Sequence, residues 1–265
     1  MGHVRLGQLP KTRQWIKVIE LISAGADVAT VAAATVEASE KALKFVQKDV
    51  GFREAVHLLT QLGIAASKDD PVSHLASIGV VLPKNASVVD VALAISQGLE
   101  RNINESGRRS DFGEKARGAL VGAVTEHIEN RLGGLFSASG SEVMDAFKGL
   151  HNPKAFGEFG RAFFAKLTNG CMEYFLTKTL GTHLGEGKAF RTMNQMGEFQ
   201  RAMDTHCRES SLIVEEFCGD WFSKHRYTEG GDISKKSSEK FGWFALEKMR
   251  KEFTFDGDGK KDNGD

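Results

Sequence analysis

The chain has 265 residues, 41% of them hydrophobic, and balances 35 lysines and arginines against 35 aspartates and glutamates. That length and apolar content can build a sizeable core in one large or two ordinary domains, and the balance leaves no overall field to draw the chain to DNA or to an anionic membrane. No run approaches the roughly eighteen apolar residues of a membrane span, the amino end carries no secretory pattern, and three cysteines cannot pair fully within one chain, so a cytoplasmic protein is expected.

In chain order, Pro10 and Thr12 lead into a predicted helix from about Lys11 to Ser23, with Trp15, Ile16, Val18, Ile19 and Ile22 on its apolar side and Gly25 at its stop. Asp27 caps a second helix, VATVAAATVEASEKALKFVQKD, whose alanines let a neighbour approach closely. This pair resembles a helix-turn-helix, but no breaker interrupts Ala33 to Ser39, and Glu37, Ser39, Glu40 and Lys41 are as acidic as basic. A packed hairpin is therefore expected. Phe52 to Ser67 is a third amphipathic helix, ended by the Asp69-Asp70-Pro71 turn signal. Its Glu54 and His57 form a Glu-x-x-His pair with no second copy in the chain, which argues against a di-iron bundle.

Pro71 to Gly79 reads as a short helix, VVLPKNAS as irregular, and Ser87 as the cap of a helix reaching about Asn104. The polar stretch Asn104 to Asp111 is the clearest boundary in the sequence. It divides a helical segment 1–106 from a helical bundle 107–255, with an acidic tail 256–265 read as disordered. Arg101, Arg108, Arg109, Lys115 and Arg117 near that boundary are offset by Glu105, Asp111 and Glu114, as in a solvated loop. Ser110 or Asp111 caps FGEKARGALVGAVTEHIENRL, which Gly133 and Gly134 end, and Ser139 or Ser141 caps EVMDAFKGL.

Asn152-Pro153 opens a long helix on which Phe156, Phe159, Phe163, Leu167, Cys171 and Phe175 recur at steps of three and four. GTHLGEGKAF then falls short of a phosphate loop, because its spacing is one residue too long and Ala189 stands where a hydroxyl belongs. Phe190 to Trp221 shows the longest helical pattern, with Met196, Phe199, Met203, His206, Ser210, Ile213, Phe217 and Trp221 on one stripe. The two long helices predict paired central spines with a Phe- and Met-rich core. After SKHRYTEGGD, Asp232 or Ser234 caps a last helix that buries Phe241, Phe244, Ala245, Met249 and Phe253.

The predicted fold is all-α, a multi-helix array with two long central helices in the carboxyl half. Its expected function is that of a non-catalytic interaction or scaffold subunit of a larger cytoplasmic assembly, with protein partners or self-association and no membrane contact. Two alternatives come from other classes. One is a nucleic-acid-binding accessory using Lys224, Arg226, Lys235, Lys236 and Lys240, or the amino-terminal hairpin. The other is an enzyme using His206 and Cys207, with His183 as a possible third member. Cys207 and Cys218 share a face but lie ~16 Å apart on a continuous helix, too far for a disulfide. No metal or cofactor is expected.

Overall fold

The structure is a computed structural model that describes residues 13–46, 48–106, 109–133 and 138–259, without the side chains of 13–14, 39–45, 178–179 and 255–259. Helix α1 (Arg13–Ser23) stops at Gly25, whose φ of +70° is the left-handed conformation that ends a helix without a Cβ clash. Asp27 then accepts hydrogen bonds from the Ala29 and Thr30 amides and so starts α2 (Val28–Val46). Helix α2 is unbroken, and it packs on α1 and on three later helices rather than presenting a separate reading helix.

Side-chain caps set most of the following boundaries. Asp49, Asp70, Ser87, Ser110 and Ser139 each accept a first-turn amide of α3 (Val50–Ala66), α4 (Pro71–Ser77), α5 (Val88–Glu105), α6 (Asp111–Leu132) and α7 (Gly140–Lys148). Ser87 with Asp90 and Ser139 with Glu142 complete reciprocal capping boxes. A 3-10 turn (Gly149–His151) leads into α8 (Pro153–Leu180), which at 28 residues is about 42 Å long.

Helix α8 is the spine. Phe156, Phe159, Phe163, Phe164, Leu167, Cys171 and Phe175 are all buried, as their spacing predicts, and α6, α9 and α10 lie along the helix. A second 3-10 turn (Gly181–His183) and a tight loop closed by the Leu184–Phe190 bridge follow, with Gly185 and Gly187 at positive φ. The second predicted spine is corrected here. Instead of one helix there are two, α9 (Met193–Ser210) and α10 (Leu212–Thr228), separated at Ser211. Arg161 on α8 holds the break: its guanidinium donates to Ser211 Oγ at 3.4 Å, to the Arg208 carbonyl at 3.3 Å and to Glu215 at 2.9 Å.

The buried stripe is also rotated from its predicted position. Met203, Cys207, Ser210, Val214, Cys218 and Phe222 face the core, whereas Ile213 is exposed and Phe217 and Trp221 are half-buried one residue round the helix. Where α10 crosses α8, backbone meets backbone. A Cβ on Gly157 would stand 2.6 Å from the Glu215 carbonyl oxygen, and one on Gly219 would stand 2.7 Å from that of Pro153. The Phe156 and Phe222 rings stack beside this crossing, 4.0 Å between centroids.

Helix α11 (Lys235–Gly259), whose Ser234 accepts the Ser237 amide, runs back across α2, α3 and α10. It buries Phe241, Ala245, Met249 and Phe253, but Phe244, expected on the same side, is 57% exposed. The predicted disordered tail is corrected in its first part, since α11 continues through Gly259; 260–265 lie outside the described residues. The buried side chains of residues before and after Asn104–Asp111 form one continuous core, because α6 packs on α3 and α5 while α11 packs on α2 and α3. Among the described residues the fold is all-α, and no helix is long and apolar enough to cross a membrane.

Candidate functional site

The cysteine and histidine nominated for chemistry sit in different surroundings. Cys207 is wholly enclosed and burial pushes its thiol up, and Cys218 and Cys171 are perturbed in the same way, Cys171 to about 12. A thiol kept protonated in a core is a packing group, since the thiolate is the nucleophile. His206 is half-buried with its ring against Phe253, and His183 bonds Ser23 Oγ at 3.2 Å. Glu54 and His57 stay neighbours on α3 but are engaged elsewhere, Glu54 with Lys235 and His57 facing Ser238. No three His, Cys, Asp or Glu side chains converge among the described residues.

Two clefts gather charge. The first, about 460 Å³, lies between α6, α8 and the α9–α10 junction. Glu126 there is held by Lys166 at 2.7 Å and Arg208 at 3.4 Å. Burial works to raise its pKa, but the two cations outweigh it and keep the carboxyl below its ordinary range. His127 beside it is 8% exposed, accepts from Arg131 Nε at 3.1 Å and is lowered to about 4, by burial first and Arg131 second. With Arg161 bound to Glu215, these charges largely neutralise one another. Along the α8 stripe, an apolar void of about 60 Å³ beside Cys171 and Phe175 is far smaller than a ligand pocket.

The second is an open groove of about 840 Å³ at the carboxyl ends of α3, α7 and α10. Its charged lining is Lys68, Lys148 and Arg226, with His151 and no carboxylate. Lys68 Nζ donates to the Gly231 carbonyl at 3.2 Å, and Arg226 donates to the His151 carbonyl at 3.0 Å while its guanidinium lies 5.3 Å from the Phe222 ring centroid. These contacts fix both cations. Tyr227 stands at the rim, 89% exposed.

Of the basic residues read from the sequence, only Arg226 enters this groove. Lys224 is two positions away, about 200° round α10, Lys235 is paired with Glu54, and Lys236 and Lys240 are exposed on α11. The five therefore do not form one face. Sequence reading misses Lys68 and Lys148, because nothing local links residues so far apart, and it misses Tyr227 beside Arg226 because an aromatic on a helix is usually buried.

A different surface joins α10 to α11. Ile213, Phe217 and Trp221 form a row at steps of four, above Phe241, which stacks on Phe217 and on Trp221 at 5.8 and 4.3 Å. Lys248 Nζ lies 5.3 Å from the Phe217 ring centroid, so the exposed Phe244, Lys240 and Lys248 of α11 border one flank of the row. Exposed Glu216 and Asp220, one residue before Phe217 and Trp221, border the other. None of Lys240, Lys248, Glu216 and Asp220 is in an ion pair among the described residues.

Compared with known proteins, the chain matches no family model, no curated protein and no solved structure.

Proposed function

We propose that the chain is a non-catalytic interaction subunit of a larger cytoplasmic assembly, and that it contacts a second copy of itself through the α10–α11 face. The observation that carries this reading is the polarity of that face: lysines on one flank of an incompletely buried apolar row, acids on the other. Consider two copies related by a two-fold axis parallel to α10. The rows then meet, and the Lys240/Lys248 flank of each copy lies over the Glu216/Asp220 flank of the other, the self-complementarity that an isologous contact requires. Meeting rows shield Ile213, Phe217, Trp221 and Phe244 from water, which supplies the apolar driving force, while the flanks fix register. The enclosure of all three thiols in the core supports a role that does not use them as nucleophiles.

Sedimentation velocity across a micromolar concentration series tests the proposal. The chain is expected to approach twice its monomer mass. Lys240→Glu with Lys248→Glu should return it to monomer by placing acids opposite acids, and adding Glu216→Lys with Asp220→Lys should restore the dimer. A chain that stays monomeric throughout, or a dimer indifferent to the charge reversals, would overturn the reading.

A further inference from the structure

The groove at the ends of α3, α7 and α10 collects what a phosphate ester needs, and from segments with no sequence relation to one another. Lys68 comes from the residues after α3, Lys148 from the last residue of α7, and Arg226 from the last turn of α10. No carboxylate lines the groove, and none is paired with these three among the described residues. This contrasts with the cleft beside His127, where Glu126 and Glu215 already occupy Lys166, Arg208 and Arg161.

Position matters as much as charge. The Gly231 carbonyl holds the Lys68 ammonium and the His151 carbonyl holds Arg226, whose guanidinium is further oriented over Phe222. An oriented guanidinium has already lost much of the side-chain freedom that binding would remove, so an anion bound there pays less to order its partner. His151 donates its Nδ1–H to the Lys148 carbonyl at 2.7 Å, which orders the ring beside the three cations.

Beside this cationic floor stands a large aromatic ring exposed to water. A tyrosine that is 89% exposed gains almost nothing from folding, so its ring is available to stack. Cations that neutralise phosphate together with an aromatic platform for a base are the recurring elements of single-strand recognition. We infer that the groove binds a nucleoside phosphate, with phosphate on Lys68, Lys148 and Arg226 and the base on Tyr227. The same chemistry is offered by a free nucleotide and by one unit of a single strand, and the volume of about 840 Å³ admits either.

The test uses the full chain at low salt with three probes: ATP, a fluorescein-labelled decathymidylate and inorganic pyrophosphate. Saturable binding of ATP identifies a free nucleotide, and binding of the oligonucleotide without ATP identifies a strand. Whichever binds should do so about tenfold more tightly than pyrophosphate, because base stacking adds to phosphate contact. Tyr227→Ala should erase that tenfold advantage and leave pyrophosphate affinity unchanged, with an unaltered circular dichroism spectrum as expected for so exposed a residue. Lys148→Gln should weaken all phosphate probes about fivefold to tenfold and lower the salt dependence. Absence of saturable binding by both ATP and the oligonucleotide overturns the inference, as does binding that neither substitution changes. These results are independent of the dimer, since the α10–α11 row does not line the groove.

Discussion

Helix propensity alone says that replacing a helical glycine with alanine should stabilise the chain, and the α8–α10 crossing makes the opposite prediction for Gly157. A Cβ there would lie 2.6 Å from the Glu215 carbonyl oxygen, against the 3.4 Å at which ordinary contact begins, so the helices must separate by about 0.8 Å. A gap of that order forfeits roughly a quarter to a half of each affected dispersion contact, and the Phe156–Phe222 stack lies beside the crossing. Overpacking of this kind costs up to about 3 kcal/mol, and the gain in helix propensity returns about 1, for a net loss near 2 kcal/mol. Gly118 on α6 is the control. It is exposed, with nothing within 4 Å of a built Cβ, so Gly118→Ala should stabilise by about 0.5–1 kcal/mol. In a chain of this size the two should move the melting temperature in opposite directions, about 4–8 °C down for Gly157→Ala and about 2 °C up for Gly118→Ala. Thermal melts and urea titrations read both. Equal stabilisation by the two substitutions would refute the close crossing.

Further outcomes follow from the same structure. His127 stays neutral in the fold down to about 4, whereas the unfolded chain protonates near the ordinary 6.5, so stability falls as pH drops through that window by up to about 3 kcal/mol. His57 and His74, also lowered mainly by burial, act in the same sense. An NMR titration of His127 should give a midpoint near 4, and one near 6.5 would contradict its burial beside Arg131. Cys171, Cys207 and Cys218 should resist a thiol reagent in the native protein and all react in denaturant; rapid native labelling of Cys207 would reopen the catalytic reading. Arg161→Ala should cost about 1–3 kcal/mol, because it strips the α9–α10 break of three donated hydrogen bonds and leaves Glu215 without its partner. Urea titration measures that loss, and a change under 0.5 kcal/mol would place the origin of the break elsewhere.

What could be read from the residues was whatever one segment decides for itself. The Phe156-to-Phe175 spacing names its own buried side, and Asp27, Ser87, Ser110 and Ser139 cap the helices they precede. The break at Ser211 was not legible. GluSerSerLeuIleValGlu contains neither glycine nor proline, and the bonds that fix the break come from Arg161, fifty residues earlier. For the same reason the α10 stripe was placed one residue off: Val214, Cys218 and Phe222 are little different in apolar spacing from Ile213, Phe217 and Trp221, and only the position of α8 chooses between them. The glycine at 157 in α8 has a physical reason only once Gly219 and the Glu215 carbonyl supply the opposing backbone. The groove was invisible because Lys68, Lys148 and Arg226 converge only when three helix ends meet.

The two-fold contact through α10 and α11 can be tested by crosslinking between two single variants, Glu216→Cys and Lys248→Cys, mixed under mild oxidation. The parallel arrangement brings residue 216 of one copy to residue 248 of the other, while the native thiols remain enclosed. A disulfide-linked dimer should form rapidly in the mixture and slowly in either variant alone. Equal rates in all three samples, or no linked dimer in the mixture, would contradict the polarised face as the site of self-association.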